Sequence, residues 1–524
     1  QGGTTQNSSN QQQGGSVRVA GAIAATVVQP TVSAEIRGGV IVVTDGDLSV
    51  AATGDVDARS VATGLAYSKD ADTGIAAAVA VNYADLVHTA RIGAEADITA
   101  GSVRVEAGTT LGQQDSFETL ALAGGGAMQS GGQGSGGGGG SGSSNTNVAG
   151  AGAASVNVVN ATTTAEIADD ATVTANTGDI GVYANREIGV QTIAGGGALT
   201  KGNSGSNDKS VGVAIGVNDV DATTEARVGA NAQLAAAMDV AVVATTTVEP
   251  TEIVLPPVPL IDENTGIFVT SLVAGAAIGS GGGWSVAGSA SIDLYTTTTR
   301  ASVGGGAAVS AGDDVRVAAT DTTELAGFTG ALAASKDGKG IGVGFSLLLT
   351  DKTTEAFVAG SGDAMSPTSV TAGGNIEIAA ASREELFGLT VTAGLAGNTE
   401  PAGAGSLVVQ VLDTATRAWA GRDDDAQTPS AGSASLAAGG SVAISADRAT
   451  LNEAYAGAAG ISLKNNGYGA AVTVTVDHDE TAAFVGSDAA VVAKGAKAII
   501  VGDGVYDADG NQGVQAVNGF ALSA

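Results

Sequence analysis

Cysteine is absent from the 524 residues, so neither disulfides nor thiolate-held metals brace the fold. Proline is scarce, at 8, and glycine numbers 81, a balance that excludes both a proline-rich linker and collagen. Aromatic residues make up 3%, too few for a core built on large side chains. Basic residues are also few: 22 Lys+Arg stand against 53 Asp+Glu, a net charge of −31. That charge repels DNA, RNA and anionic lipid heads, so no nucleic-acid partner is expected, while divalent cations are attracted. No uninterrupted apolar run of about 18 residues occurs, so no transmembrane helix is expected. The chain opens at Gln1 without an initiating Met or a signal peptide, which predicts a processed chain or a slice of a longer polypeptide.

What the sequence has is repetition. Residues 211–229, VGVAIGVNDVDATTEARVG, place Val211, Val213, Ile215 and Val217 on one face of a strand and Gly212, Ala214, Gly216 and Asn218 on the other. The closing motif recurs eight times, on Ala34, Ala90, Ala165, Ala226, Ala301, Ala356, Ala418 and Ala483, at intervals of 55 to 75 residues. Recurrence on this scale marks a stacked array with insertions. The repeats run about 17–74, 75–147, 148–210, 211–285, 286–340, 341–402, 403–467 and 468–524, after a Gly/Gln/Asn-rich lead at 1–16.

Each unit reads as strands. The first strand carries bulk on one face and Gly, Ala or Ser on the other, as in Ile341, Val343, Phe345 and Leu347 against Gly342, Gly344 and Ser346. Small residues where Lys, Glu or Thr would mark a surface predict burial on both faces, with a second layer unusually close. A second, half-exposed strand follows, as in residues 374–380 (GNIEIAA). Short pieces such as 96–100 (ADITA) fit corners, and a third apolar piece ends each unit. Three insertions explain most of the spacing scatter: a Gly/Ser run at 129–147, a Pro-rich excursion at 248–266 and an acidic loop at 422–433. Residues 514–524 resemble the third apolar piece, so the chain is expected to hold whole repeats with no polar cap at either end.

Two polar columns recur. Asn82, Asn157, Asn218, Asp293 and Gln410 stand eight residues before the anchor alanine; Asp85, Asn160, Asp221, Asp351 and Asp413 stand five before it. Stacked, the amides can hydrogen-bond from rung to rung. The alternative is a carboxylate column that binds Ca²⁺ through oxygen ligands. Asp507, Asp509 and Asn511 form a second, weaker Ca²⁺ candidate, because Gln512 stands where such a loop needs glycine. His88 and His478 have no visible partner set, and no HExxH, GxSxG, Walker or dinucleotide-binding motif is present. The chain is therefore read as no enzyme, with no cofactor beyond a possible Ca²⁺.

The stretches 79–93 (VAVNYADLVHTARIG), 211–229 and 341–360 (IGVGFSLLLTDKTTEAFVAG) resemble the repeats of giant bacterial surface exoproteins, the leukotoxin-type and haemagglutinin-like filamentous adhesins. The resemblance implies a secreted, elongated β-structure and supplies no catalytic residues. The fold expected is an all-β parallel β-solenoid of about eight wide repeats; the runner-up is an array of β-sandwich modules. The function expected is structural: a segment or protomer of an extracellular filament, sheath or adhesin stalk on a bacterial surface. Its partners would be other copies of itself, or the remainder of a longer chain, stacked end to end. The alternative is an adhesive module whose insertions touch glycans or other cells.

Overall fold

The computed structural model describes residues 17–68, 72–110, 112–128, 146–202, 207–253, 267–362, 366–397, 400–423, 432–506 and 512–524. Among them the chain forms strands joined by turns and contains no helix. It is a parallel β-solenoid in which each repeat makes one coil. A long front strand, a short corner strand and a long back strand follow one another, then the chain climbs one rung.

The front sheet is built from Val17–Val28 with Thr31–Ile36, then Thr73–Ile92, Val148–Ile167, Lys209–Val228, Trp284–Val303, Lys339–Ala359, Ala402–Gly421 and Gly467–Val485. Its pairings are parallel and in register along the whole stack. Ala34 pairs with Ala90, Ala90 with Ala165, and so on through Ala226, Ala301, Ala356 and Ala418 to Ala483. Corner strands such as Asp97–Ala100 and Gln233–Ala236 form the second sheet. Back strands such as Ile180–Lys201, Val315–Ser335 and Ile376–Ala396 form the third. Eight rungs at about 4.8 Å give a stack roughly 34 Å tall.

The cross-section is a wedge, and the turns explain why. At the corner end a strand of four or five residues separates front from back, so Val, Ile and Leu fill the gap beside the anchor alanines. At the other end the chain turns tightly: only Lys336–Asp337–Gly338 stand between the back strand ending at Ser335 and the front strand starting at Lys339. There the two sheets nearly touch. A Cβ added at Gly212 would fall 1.9 Å from the Ala276 carbonyl oxygen, and one at Gly394 would fall 1.9 Å from that of Gly403. Gly, Ala and Ser dominate there, and a cluster of buried alanines lines this blade.

The small face turns inward, but the bulky face is not buried with it, so the expected burial of both faces is half met. Ile215 is 40% exposed and Val343 51% exposed on the outside of the front sheet. Bulk between the sheets would force them toward the ordinary spacing of about 10 Å, which the tight turn does not allow.

The insertions also differ from their expected bounds. Val248 is buried and pairs with Ile188 and Thr323, so the back strand runs on to Ile253 before the excursion leaves it. The chain returns through Ile267–Val269, antiparallel to Thr251–Ile253. Residues 1–16, 129–145, 254–266 and 424–431 lie outside the described residues. Near the end, Gln512–Val517 forms an antiparallel pair with Ile499–Tyr506, and Phe520–Ser523 lies on Val442–Ser445. Residues 514–524 thus occupy a hairpin and the start of the back rung, not the third apolar piece. Their short Val/Ala alternation fits either position, and pairing decided it.

The turn after most of the anchor alanines is stacked as well. Gly39, Glu95, Asp170, Asn231 and Gly306 all carry a left-handed backbone there. Gly, Asn and Asp tolerate that conformation best, and the rung above holds the turn: the Glu95 N–H donates to the Asp169 carbonyl and that of Asp170 to the Ala230 carbonyl.

Candidate functional site: the stacking ladders and the end rungs

The first predicted polar column is one inward-facing, buried ladder. Asn82, Asn157, Asn218 and Asp293 pair in register on successive rungs. Asn82 Nδ2 donates to Asn157 Oδ1 at 3.1 Å, Asn157 Nδ2 to Asn218 Oδ1 at 3.1 Å, and Asn218 Nδ2 to Asp293 Oδ1 at 2.7 Å. The ladder has a direction and ends on an acceptor-only group. Asp293 Oδ2 accepts from Ser291 at 2.8 Å and Ser271 at 3.1 Å. Burial nevertheless pushes its carboxyl above the usual range, despite the three donors. Leu348 then interrupts the column before Gln410.

The second column is also in register, through Asp85, Asn160 and Asp221, with Thr296 before Asp351 and Asp413. It faces outward, so it is no buried amide ladder. Asp413 meets His478 at 3.2 Å. Asn160 and Thr296 separate the other carboxylates, so only Asp351 and Asp413 stand on adjacent rungs.

Sequence spacing gave no hint of a third set, between the amide ladder and the corner core. His88 is buried, and its Nδ1 lies 2.6 Å from an Arg186 guanidinium nitrogen. Arg186 also pairs with Asp115 and donates to Thr163 Oγ1 at 2.9 Å. An arginine only donates, so His88 Nδ1 accepts and the proton of the neutral ring sits on Nε2. Burial, then the Arg186 charge, lowers the His88 pKa to about 4. Further along the axis, Lys352 Nζ sits 2.7 Å from Asp321 Oδ1 and 3.0 Å from Glu384 Oε1. Burial opposes ionisation of Glu384, but Lys352, Ser382 and Thr450 outweigh it and hold its pKa below the ordinary value. These charges come from strands of different coils. The one trace in the sequence is a charged residue at inward parity where neighbouring repeats carry Thr.

Outward columns alternate in sign. Glu35, Arg91, Glu166 and Arg227 stack in that order, as do Glu225, Arg300, Glu355 and Arg417. Arg91 reaches Glu166 at 3.1 Å and Arg300 reaches Glu355 at 2.9 Å. Slipping a coil by one rung would set like charge on like. Above Arg227 and Ser302 the first of these columns turns aromatic: Phe357 and Trp419 stack at 4.3 Å, and Trp419 and Phe484 at 5.8 Å. Trp419 is a packing residue.

Two places have the outline of a ligand site. Asp239, Asp313 and Asp314 bring carboxylates together at a corner. Their cation is already supplied: Lys497 Nζ lies 2.9 Å from Asp313 and 2.8 Å from Asp314. The candidates Asp507, Asp509 and Asn511 lie outside the described residues. At the blade tip a groove of about 590 Å³ is walled by Leu199, Ile278, Leu395 and Ile461, with Lys201 and Lys336 at its rim. Its aliphatic walls offer no aromatic platform for a sugar.

The inward residues of Gly467–Val485 are largely exposed, whereas those of Val17–Val28 are half-buried or, at Ala22 and Ala24, buried; among the described residues no strand lies beyond either end rung. Equivalent columns end on similar residues: Ala34 at one end and Ala483 at the other, Ile36 and Val485, Val42 and Val491. No helix among the described residues is long and apolar enough to cross a membrane. Comparison with family models, with curated proteins and with solved structures returned no match.

Proposed function

We propose that the chain is a structural protein of a bacterial surface, a segment or protomer of an extracellular filament, sheath or stalk that stacks end to end through its rungs. One observation carries the reading: the eight front strands keep their columns in register, and inward columns such as those from Ala34 to Ala483 and from Ile36 to Val485 begin and end on matching residues. Buried amides, internal ion pairs and a dry Gly/Ala blade favour a stiff body, and such features serve mechanics better than turnover. The acidic exterior limits clumping, which suits a crowded surface. The sequence resemblance to filamentous adhesins supports the extracellular placement.

The test uses the inward position Thr475, which is exposed on the last rung. Thr475→Lys leaves the isolated fold unstrained but would trap a charge if another rung were laid over it. The expected result is concentration-dependent rods of the unmodified chain by light scattering and negative-stain imaging, and loss of rods in Thr475→Lys. A monodisperse monomer at high concentration, with binding on a glycan array, would replace stacking by the adhesive reading.

A further inference from the structure

The outside of the front sheet is apolar over an area that solvent does not favour. Five adjacent outward columns cross all eight rungs, represented by Ile75, Val213, Ile215, Val217 and Leu349. Across these columns the only charged residue is Asp219. Ten residues of strand by eight rungs span roughly 33 Å by 34 Å, about 1,100 Å². The largest apolar patch on a typical monomer is about 300–600 Å². Two such faces in contact would bury on the order of 2,200 Å², above the standard size of a stable interface.

The borders of this face carry opposite charge. On one side stands the outward acidic column with Asp221 and Asp351; on the other stand Lys209 and Lys339. In each of these two strands the lysine and the aspartate bracket the apolar stretch, and Ile215 and Phe345 lie midway.

We propose that this face is covered by the same face of a second copy, related by a two-fold axis parallel to the solenoid axis. That axis reverses the strand direction across the interface and brings the acidic border of each copy against the lysine border of the other. A two-fold along the strands would set acid against acid. The bilayer alternative is disfavoured by the net charge of −31, which repels anionic lipid heads. The contact is lateral, so it stands independently of end-to-end stacking.

The experiment is done in the Thr475→Lys chain, where axial growth is blocked, by sedimentation velocity over a wide concentration range. A dimer is expected. Ile215→Glu with Val343→Glu, both at exposed positions, should raise its dissociation constant at least tenfold with an unchanged circular dichroism spectrum. Asp221→Lys should weaken the dimer, and Lys209→Asp added to it should restore the dimer, because the two borders face each other. A Thr475→Lys chain that stays monomeric, a dimer indifferent to the Glu pair, or a charge swap without rescue overturns the proposal. So does a monomer that binds phosphatidylcholine or phosphatidylglycerol vesicles through this face. Rod formation by the unmodified chain reports on axial stacking alone, so either idea can fail without the other.

Discussion

Replacing Asn157 by Ala removes the middle of the buried ladder. Its Nδ2 donates to the Gln191 carbonyl at 2.9 Å, to Thr192 Oγ1 at 3.0 Å and to Asn218 Oδ1 at 3.1 Å, and its Oδ1 accepts from Asn82. A buried hydrogen bond contributes about 1 kcal/mol net, and leaving a buried acceptor without its donor costs about 1–3 kcal/mol. Asn82 retains the Ala58 and Glu118 carbonyls, and Asn218 retains Thr192, so part of the loss is absorbed. The expected cost is about 2–4 kcal/mol. Asn157→Asp should cost more at neutral pH, since a carboxylate would face the Gln191 carbonyl and Asn218 Oδ1. Its penalty should shrink in acid, where a protonated carboxyl can donate again. The control is Asn160→Ala, three residues on and outward, which should stay within about 0.5 kcal/mol. Urea unfolding gives the totals, and hydrogen exchange should localise the loss to the coils around Asn157, since solenoid coils contact only their neighbours. If Asn157→Ala were as mild as Asn160→Ala, the ladder would be a by-product of stacking and not a support for it.

Lys352→Met leaves Asp321 and Glu384 buried without their ammonium and should cost about 3–5 kcal/mol at neutral pH. In the unaltered protein the lowered Glu384 pKa contributes stability above the ordinary carboxyl range that is lost as the pH falls through it, so the gap between the two proteins should narrow in acid titrations. His88 acts over a different window. Its folded pKa is lowered from 6.5 to about 4, so its contribution is complete above pH 6.5 and is lost as the pH falls toward 4. At about 1.4 kcal/mol per unit, the unaltered chain should lose about 3 kcal/mol more than His88→Gln between those limits, and equal pH slopes would refute the assignment. Gly212→Ala drives a methyl into the Ala276 carbonyl and should cost at least about 1–3 kcal/mol, whereas Gly403→Ala, whose added methyl meets no atom of its own chain within 4 Å, should stabilise the fold by roughly 0.5 kcal/mol. Thermal melts of that pair measure the blade directly.

Much of the architecture was legible in the chain. The anchor alanines recur because they stack, so reading their intervals amounts to reading the coil length. The offset of Asn82, Asn157, Asn218 and Asp293 from those alanines placed them on one column, and translational stacking turns an equal offset into contact. Alternation also fixed which residues share a face. It could not fix which face turns inward, because a period of two carries parity and no sign. The three-residue turn at Lys336–Gly338 decided that, by holding the two sheets too close for the bulky face. Nor could it join Arg186 to Asp115 and His88, whose separations in sequence match no motif. They meet because the front and back strands of neighbouring coils face each other across the wedge, a proximity that exists only once the coil has closed.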